Sequence, residues 1–139
     1  SNIKEIIKQV KIPYVDNMSR PIAVESGANG LSAKVFLLSG YEVGWTASYD
    51  SPFPEDGEKL SYFEYGVDSS ALNKRIAYLN GLATYWWLRS RDMANGDRVW
   101  FVNRNGYYQT MTASQECGIR PAFILPSDML VSDDGTIVV

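Results

Sequence analysis

A chain of 139 residues, 45% hydrophobic and 21% charged, has the size and composition of one globular domain and can bury a core without staples. Its net charge of −3 argues against a nucleic-acid module, and no apolar run approaches the ~20 residues of a membrane-spanning helix. There is no histidine and a single cysteine, Cys117, so the commonest general base and metal ligand is missing and no internal disulfide can form. No signal peptide is visible, and the chain opens Ser1-Asn2 rather than on Met, so it reads as a piece of a longer protein.

Ile3, Ile6, Ile7 and Val10 recur at helical spacing and predict an amphipathic helix ended by about Ile12 ahead of Pro13. A Pro- and Gly-punctuated stretch follows, with a short strand expected at Ile22 to Val24. Lys34 to Ser39 is a compact apolar run that predicts a buried strand. From Glu42 to Asp68 the composition turns acidic: Glu42, Asp50, Glu55, Asp56, Glu58, Glu64 and Asp68 face Lys59 alone. This predicts a long surface excursion tacked down by Leu60, Tyr62 and Phe63. A second helix begins at Asp68 or Ser69, with Leu72, Ile76 and Leu79 as its stripe and Asn80-Gly81 as its stop.

Thr84 to Ser90 predicts a strand in which Trp86 and Trp87 point to opposite faces. Residues 91 to 97 form a loop. Arg98 to Val102 and Tyr107 to Thr112 then flank Asn105-Gly106, the preferred pair for a two-residue hairpin turn. In that register Arg98, Trp100, Val102 and Arg104 share a face with Tyr107, Gln109 and Met111. Ile119 to Leu125 predicts another strand with Pro121 at an edge or bulge. Asp133 to Thr136 is a turn before a last strand, Ile137 to Val139. One of Trp86 and Trp87, with Val99, Phe101 and Phe123, is assigned to the core.

No spacing brings a nucleophile to a base, so no catalytic residue is assigned, and neither a metal nor a cofactor is expected. Asp133, Asp134 and Gly135 are too short a run for a calcium loop and read as a solvated turn. Cys117, ahead of a core strand, reads as a small buried hydrophobe. Arg89 and Arg120 sit among apolar neighbours. They either bind backbone carbonyls and carboxylates to lock loops, the favoured reading, or clamp an anion such as a carboxylate or sialic acid. Arg91, Asp92, Asn95, Arg98, Trp100, Arg104, Tyr107 and Gln109 form the candidate partner-binding surface, a cationic aromatic region of the type found at interface hot spots. Its charge opposes that of the acidic excursion, which would help orient association with an acidic protein or glycan, or with other copies of the chain.

The order Trp86-Trp87-Leu88-Arg89-Ser90, Trp100-Phe101-Val102-Asn103 with Asn105-Gly106, and Gly118-Ile119-Arg120-Pro121-Ala122 resembles a domain-of-unknown-function family (number 6273) of Gram-positive gut bacteria and their phages. Lys34 to Ser39 and Arg75 to Gly81 fit the same pattern, so the resemblance spans residues 34 to 126. Arg91 stands where the family often has Pro. More distantly the arrangement is similar to C-type-lectin-like domains of the formylglycine-generating-enzyme type. The chain lacks the calcium signatures of sugar-binding lectins and the cysteine pair of those enzymes. The resemblance makes Trp86, Trp87, Arg89, Gly118, Arg120 and Pro121 structural motif residues. It implies one α+β domain over residues 1–139, with a twisted, mainly antiparallel sheet, two flanking helices and long loops. It further implies a non-catalytic binding or display module of a phage particle or bacterial surface, whose partners are virion or cell-surface proteins or a glycan, with no nucleic acid and no membrane insertion. The rival roles are a purely structural virion subunit, such as a head-decoration, tail-fibre or baseplate part, and an unrecognised or degenerate enzyme.

Overall fold

The computed structural model describes residues 3–15, 23–45 and 53–138. In chain order the elements are α1 (Ile3–Ile6), β1 (Val10–Ile12), β2 (Tyr14–Val15), β3 (Val24–Glu25), a 3-10 turn (Gly27–Asn29) and β4 (Leu31–Ala33). There follow α2 (Ser69–Arg75), β5 (Ala77–Leu79), β6 (Leu82–Thr84), β7 (Trp86–Arg91), β8 (Arg98–Val102), β9 (Tyr108–Thr112), β10 (Leu130–Val131) and β11 (Ile137–Val138). The architecture is α+β with antiparallel pairing between these strands. It departs from the expected single sheet: β7, β8 and β9 make one three-stranded sheet, while β1–β4, β2–β3, β5–β6 and β10–β11 are separate pairs.

Several predicted elements shorten or change. The first helix is one turn, because so short a helix does not sustain itself, and Val10–Ile12 instead finds ladder partners in Leu31–Ala33. The strand expected at 22 to 24 is β3 at Val24–Glu25, which shares only Val24 with it; Ile22 lies outside the described residues. Lys34 to Ser39 is not a strand. It holds a single bridge, Phe36 to Ala122, and its carbonyls turn elsewhere: Leu37 O accepts from Arg89 Nη1 and Leu38 O from the Arg89 backbone N–H. The strand expected at Ile119 to Leu125 is reduced to that same bridge, and Pro121 has no N–H to extend it. Phe123 is correspondingly exposed rather than core.

The acidic excursion is more than surface. Val43, Trp45, Phe53 and Phe63 are buried in the main core, whereas Leu60 and Tyr62, expected as anchors, are exposed. An apolar aromatic set spaced through an acidic segment lets its backbone wrap over the sheet, while Glu55, Glu58 and Glu64 stay at the surface and Glu42 and Asp56 are buried. Asp68 caps α2 by accepting from Ala71 N at 2.9 Å. The helix stops at Arg75, Ile76 is already extended, and the chain passes straight into β5.

Two of the Asn-Gly pairs depart from the predicted turns. Asn80-Gly81, read as a helix stop, is the two-residue hairpin turn between Leu79 and Leu82, with φ of 52° and 79°. Asn105-Gly106 belongs to a three-residue connection in which Gly106 alone is left-handed, at φ 84°. Asn103 explains the change: its Oδ1 accepts from the N–H of Asn105 and of Tyr107, and its own N–H donates to Tyr107 O at 2.7 Å. A Cβ at Gly106 would also lie 2.2 Å from Leu72 O, so the turn closes onto α2. Val102 therefore pairs with Tyr108, Trp100 with Thr110 and Phe101 with Gln109. This register is one residue from the predicted one, and a one-residue slip moves every partner to the other face.

The core holds Leu38, Val43, Trp45, Phe53, Phe63, Trp86, Leu88 and Val102, with Trp100 and Tyr108 packed at its margin. Phe53 lies 4.9 Å from the Trp100 ring and Tyr108 lies 4.5 Å from Trp45. Phe101 is buried on the opposite face against Tyr85 and Trp87, and Val99 is half-buried. Trp86 is thus the core tryptophan and Trp87 the half-covered one.

Candidate functional site

Two arginines tie the loops together. The β7–β8 register shifts between Trp87 and Arg91, and such a bulge re-aims side chains. Within it Arg89 donates to both oxygens of Glu42 (2.5 and 2.8 Å), to Pro13 O (2.9 Å), to Leu37 O (3.0 Å) and to Asp56 O. Glu42 Oε2 also accepts from Ser39 N. Arg75 is fully buried; it stacks 3.9 Å from the Trp45 ring and donates to the carbonyls of Val43, Gly66 and Glu64. Burial lowers its pKa to about 10. Trp86 Nε1 donates to Arg75 O, which joins α2 to β7. Neither Glu42 nor Arg75 was singled out from the sequence, where both look like ordinary surface charges.

Next to this network lies a cleft of about 230 Å³ lined by Tyr14, Leu31, Asp56, Ser90 and Met93 among others. Asp56 is 1% exposed and its pKa is pushed up to about 6, chiefly by burial, against the attraction of Arg89. Its Oδ1 has no hydrogen-bond partner, and Ser90 Oγ reaches its Oδ2 only at 3.5 Å. Ser90 Oγ itself accepts from Gly40 N. These contacts tie Gly40 and Asp56 to β7.

The residues expected to meet a partner do not form one surface. Asp92 is buried and holds its loop by accepting from Ala94 N and Asn95 Nδ2. Arg91 is half-buried and Asn95 exposed. Arg98 lies across the strand on Thr110, donating to its Oγ1 and its carbonyl. Trp100 packs against the core. Arg104, Tyr107 and Gln109 are exposed at the hairpin turn, with Arg104 placed 4.9 Å over the Tyr85 ring. The register explains the separation, since Trp100 and Gln109 take opposite faces. Cys117 is half-buried, with its pKa raised by burial. Asp134 accepts from Ser132 Oγ and Thr136 N, which closes the last turn and lowers its pKa to about 2. Among the described residues no group of three or more His, Cys, Asp or Glu is placed to hold a metal, and no helix is long and apolar enough to cross a membrane.

An exposed apolar hairpin was missed. Tyr78, Leu79 and Leu82 on the β5–β6 hairpin are 66%, 62% and 74% exposed, and Ile119 is 65% exposed. A cleft of about 450 Å³ runs between that hairpin and residues 118 to 121, with Trp86 and Arg120 among its walls. A depression of about 260 Å³ beside Val35 and Leu37 shares Ile119 and Pro121 with it. Gly118 sets the spacing by bridging to Trp86 and accepting from Trp87 N. The signal available in the sequence was Tyr78-Leu79 and Leu82 around Asn80-Gly81, masked by reading the stretch as helix.

No curated protein and no solved structure matches the chain. A family model described as a domain of unknown function, DUF6273, matches residues 1–127, well beyond the span of the motifs that suggested it, and the chain belongs to that family.

Proposed function

We propose that this chain is a non-catalytic binding module that meets a protein partner through the outer face of the β5–β6 hairpin and Ile119, as part of a phage particle or bacterial surface protein. The observation that carries the reading is the exposure of Tyr78, Leu79 and Leu82 on the β5–β6 hairpin and of Ile119 across a cleft from it, all more than half exposed. Contiguous apolar surface of this type marks interaction sites. Arg104, 4.9 Å over the ring of Tyr85, the residue after β6, adds a cation near the hairpin. The finer fold assignment, C-type-lectin-like, rests on the motif resemblance and is supported by the little regular structure around one three-stranded sheet. The lack of histidine in the chain and the commitment of Arg89, Glu42 and Ser90 to backbone groups favour binding over catalysis.

Site-specific photo-crosslinking in the native host tests it, with the photoreactive residue at Leu82 or at Ala94, an exposed position beyond the far end of β7. The expected result is an adduct with a virion or envelope protein from position 82 and not from 94. Equal labelling from both positions, or turnover in a hydrolase screen that Asp56→Asn abolishes, would overturn the reading.

A further inference from the structure

We propose that the cleft beside Arg120 is a binding site for a carboxylate carried on an apolar or aromatic stem. Arg120 sits 4.9 Å from the Trp86 ring and 5.4 Å from the Phe63 ring, so stacking fixes its guanidinium. Its Nη1 is buried and has no hydrogen-bond partner. Among the described residues the ion pairs are Arg89–Glu42 and Lys74–Glu64, and Arg120 is in neither. A guanidinium offers five N–H donors in a planar fork that matches a carboxylate. Here the guanidinium is held by rings with Nη1 turned inward, and its Nε–Nη2 edge, which no described residue accepts from, is left as a preorganised anion receptor.

The walls select the anion. Ile76, Tyr78, Leu79 and Ile119 line the same cleft as Arg120. Apolar walls around one cation desolvate a monoanion on a hydrophobic stem far more readily than a hydrated phosphate or sulfate dianion. A volume of about 450 Å³ accommodates an arylalkyl group. The carboxylate comes either from a small organic acid or from the C-terminus of a polypeptide. The inference rests on the proposed face for its place and names the chemistry recognised there.

Isothermal titration of the chain with 3-phenylpropionate is the test. Saturable millimolar binding is expected, weakened at least about tenfold for 3-phenylpropionamide and for Arg120→Gln, since a bidentate charge-assisted pair is lost. Arg120→Lys should fall between. Binding of the amide as tight as that of the acid, or no saturation by the acid, removes the site. If Arg120→Gln fails to fold, the acid–amide comparison on the unaltered chain decides. A Phe-ending peptide that binds more tightly with a free than with an amidated C-terminus assigns the carboxylate to a polypeptide, and equal weak binding assigns it to a small acid. Loss of probe binding with persistent crosslinking at position 82 removes the carboxylate site and leaves the docking face. The reverse pattern leaves a small-molecule site and removes the face.

Discussion

Arg89 and Arg120 occupy motifs that read alike, each a cation set among apolar residues near a strand, yet their surroundings are opposite. Arg89 lies in a bulge and meets four segments of chain, with a carboxylate and three carbonyls as acceptors. Arg120 is held by two rings and donates to none of the described residues. A cation surrounded by acceptors organises loops, whereas one stacked and left without acceptors is available to something outside the chain. Residue type and neighbours in sequence are the same in kind; the difference comes from what tertiary contacts deliver to each guanidinium.

The largest effect expected from this contrast is on Arg89. Arg89→Ala leaves the buried Glu42 carboxylate unpaired and should cost about 3–5 kcal/mol in urea unfolding. A loss under about 1 kcal/mol would mean that the network is an ornament of the loops rather than their anchor.

Asp56 gives the next effect. Its folded pKa of about 6 lies above the ordinary 3.8, so the folded state holds a proton that the unfolded chain releases between those values. Stability should therefore fall as pH rises from about 3 to 7, by roughly 3 kcal/mol at ~1.36 kcal/mol for each tenfold change in proton affinity. Asp56→Asn should remove that fall. Unfolding free energies measured at about pH 3.5 and 7.5 check it, and equal pH dependence in the two proteins contradicts it.

Arg120→Gln should be the mildest. It gives up the cation–π contacts to Trp86 and Phe63, about 0.5–1 kcal/mol each, but also removes an unpaired buried donor that offsets part of that, so stability should shift by no more than about 1 kcal/mol. A loss as large as that of Arg89→Ala would make Arg120 another loop clamp.

Local chemistry made part of this legible in advance. The cap at Asp68, the strands on either side of residues 103 to 107 and the turn at Gly135 follow from side chains acting on their own neighbours. What was missed depends on distant partners. The hairpin register was decided by Asn103 capturing two N–H groups and by Gly106 meeting α2, neither visible in the Asn-Gly pair itself. Asn80-Gly81 looked like a helix end because Leu72, Ile76 and Leu79 keep helical spacing, although Arg75 is buried under Trp45 and the chain must leave the helix there. That one misreading hid the exposed side chains of Tyr78, Leu79 and Leu82. The acidic excursion hid its core residues because charge dominates its composition, while burial depends on Val43, Trp45, Phe53 and Phe63 alone.

The contrast between the two arginines is tested most directly by following their Nε–H resonances in one ¹⁵N spectrum during titration with 3-phenylpropionate. The Arg120 resonance should move saturably while that of Arg89, already bonded to Pro13 O, stays fixed. Movement of Arg89 with a static Arg120, or no movement of either at saturating acid, would contradict the assignment of Arg120 as the open receptor.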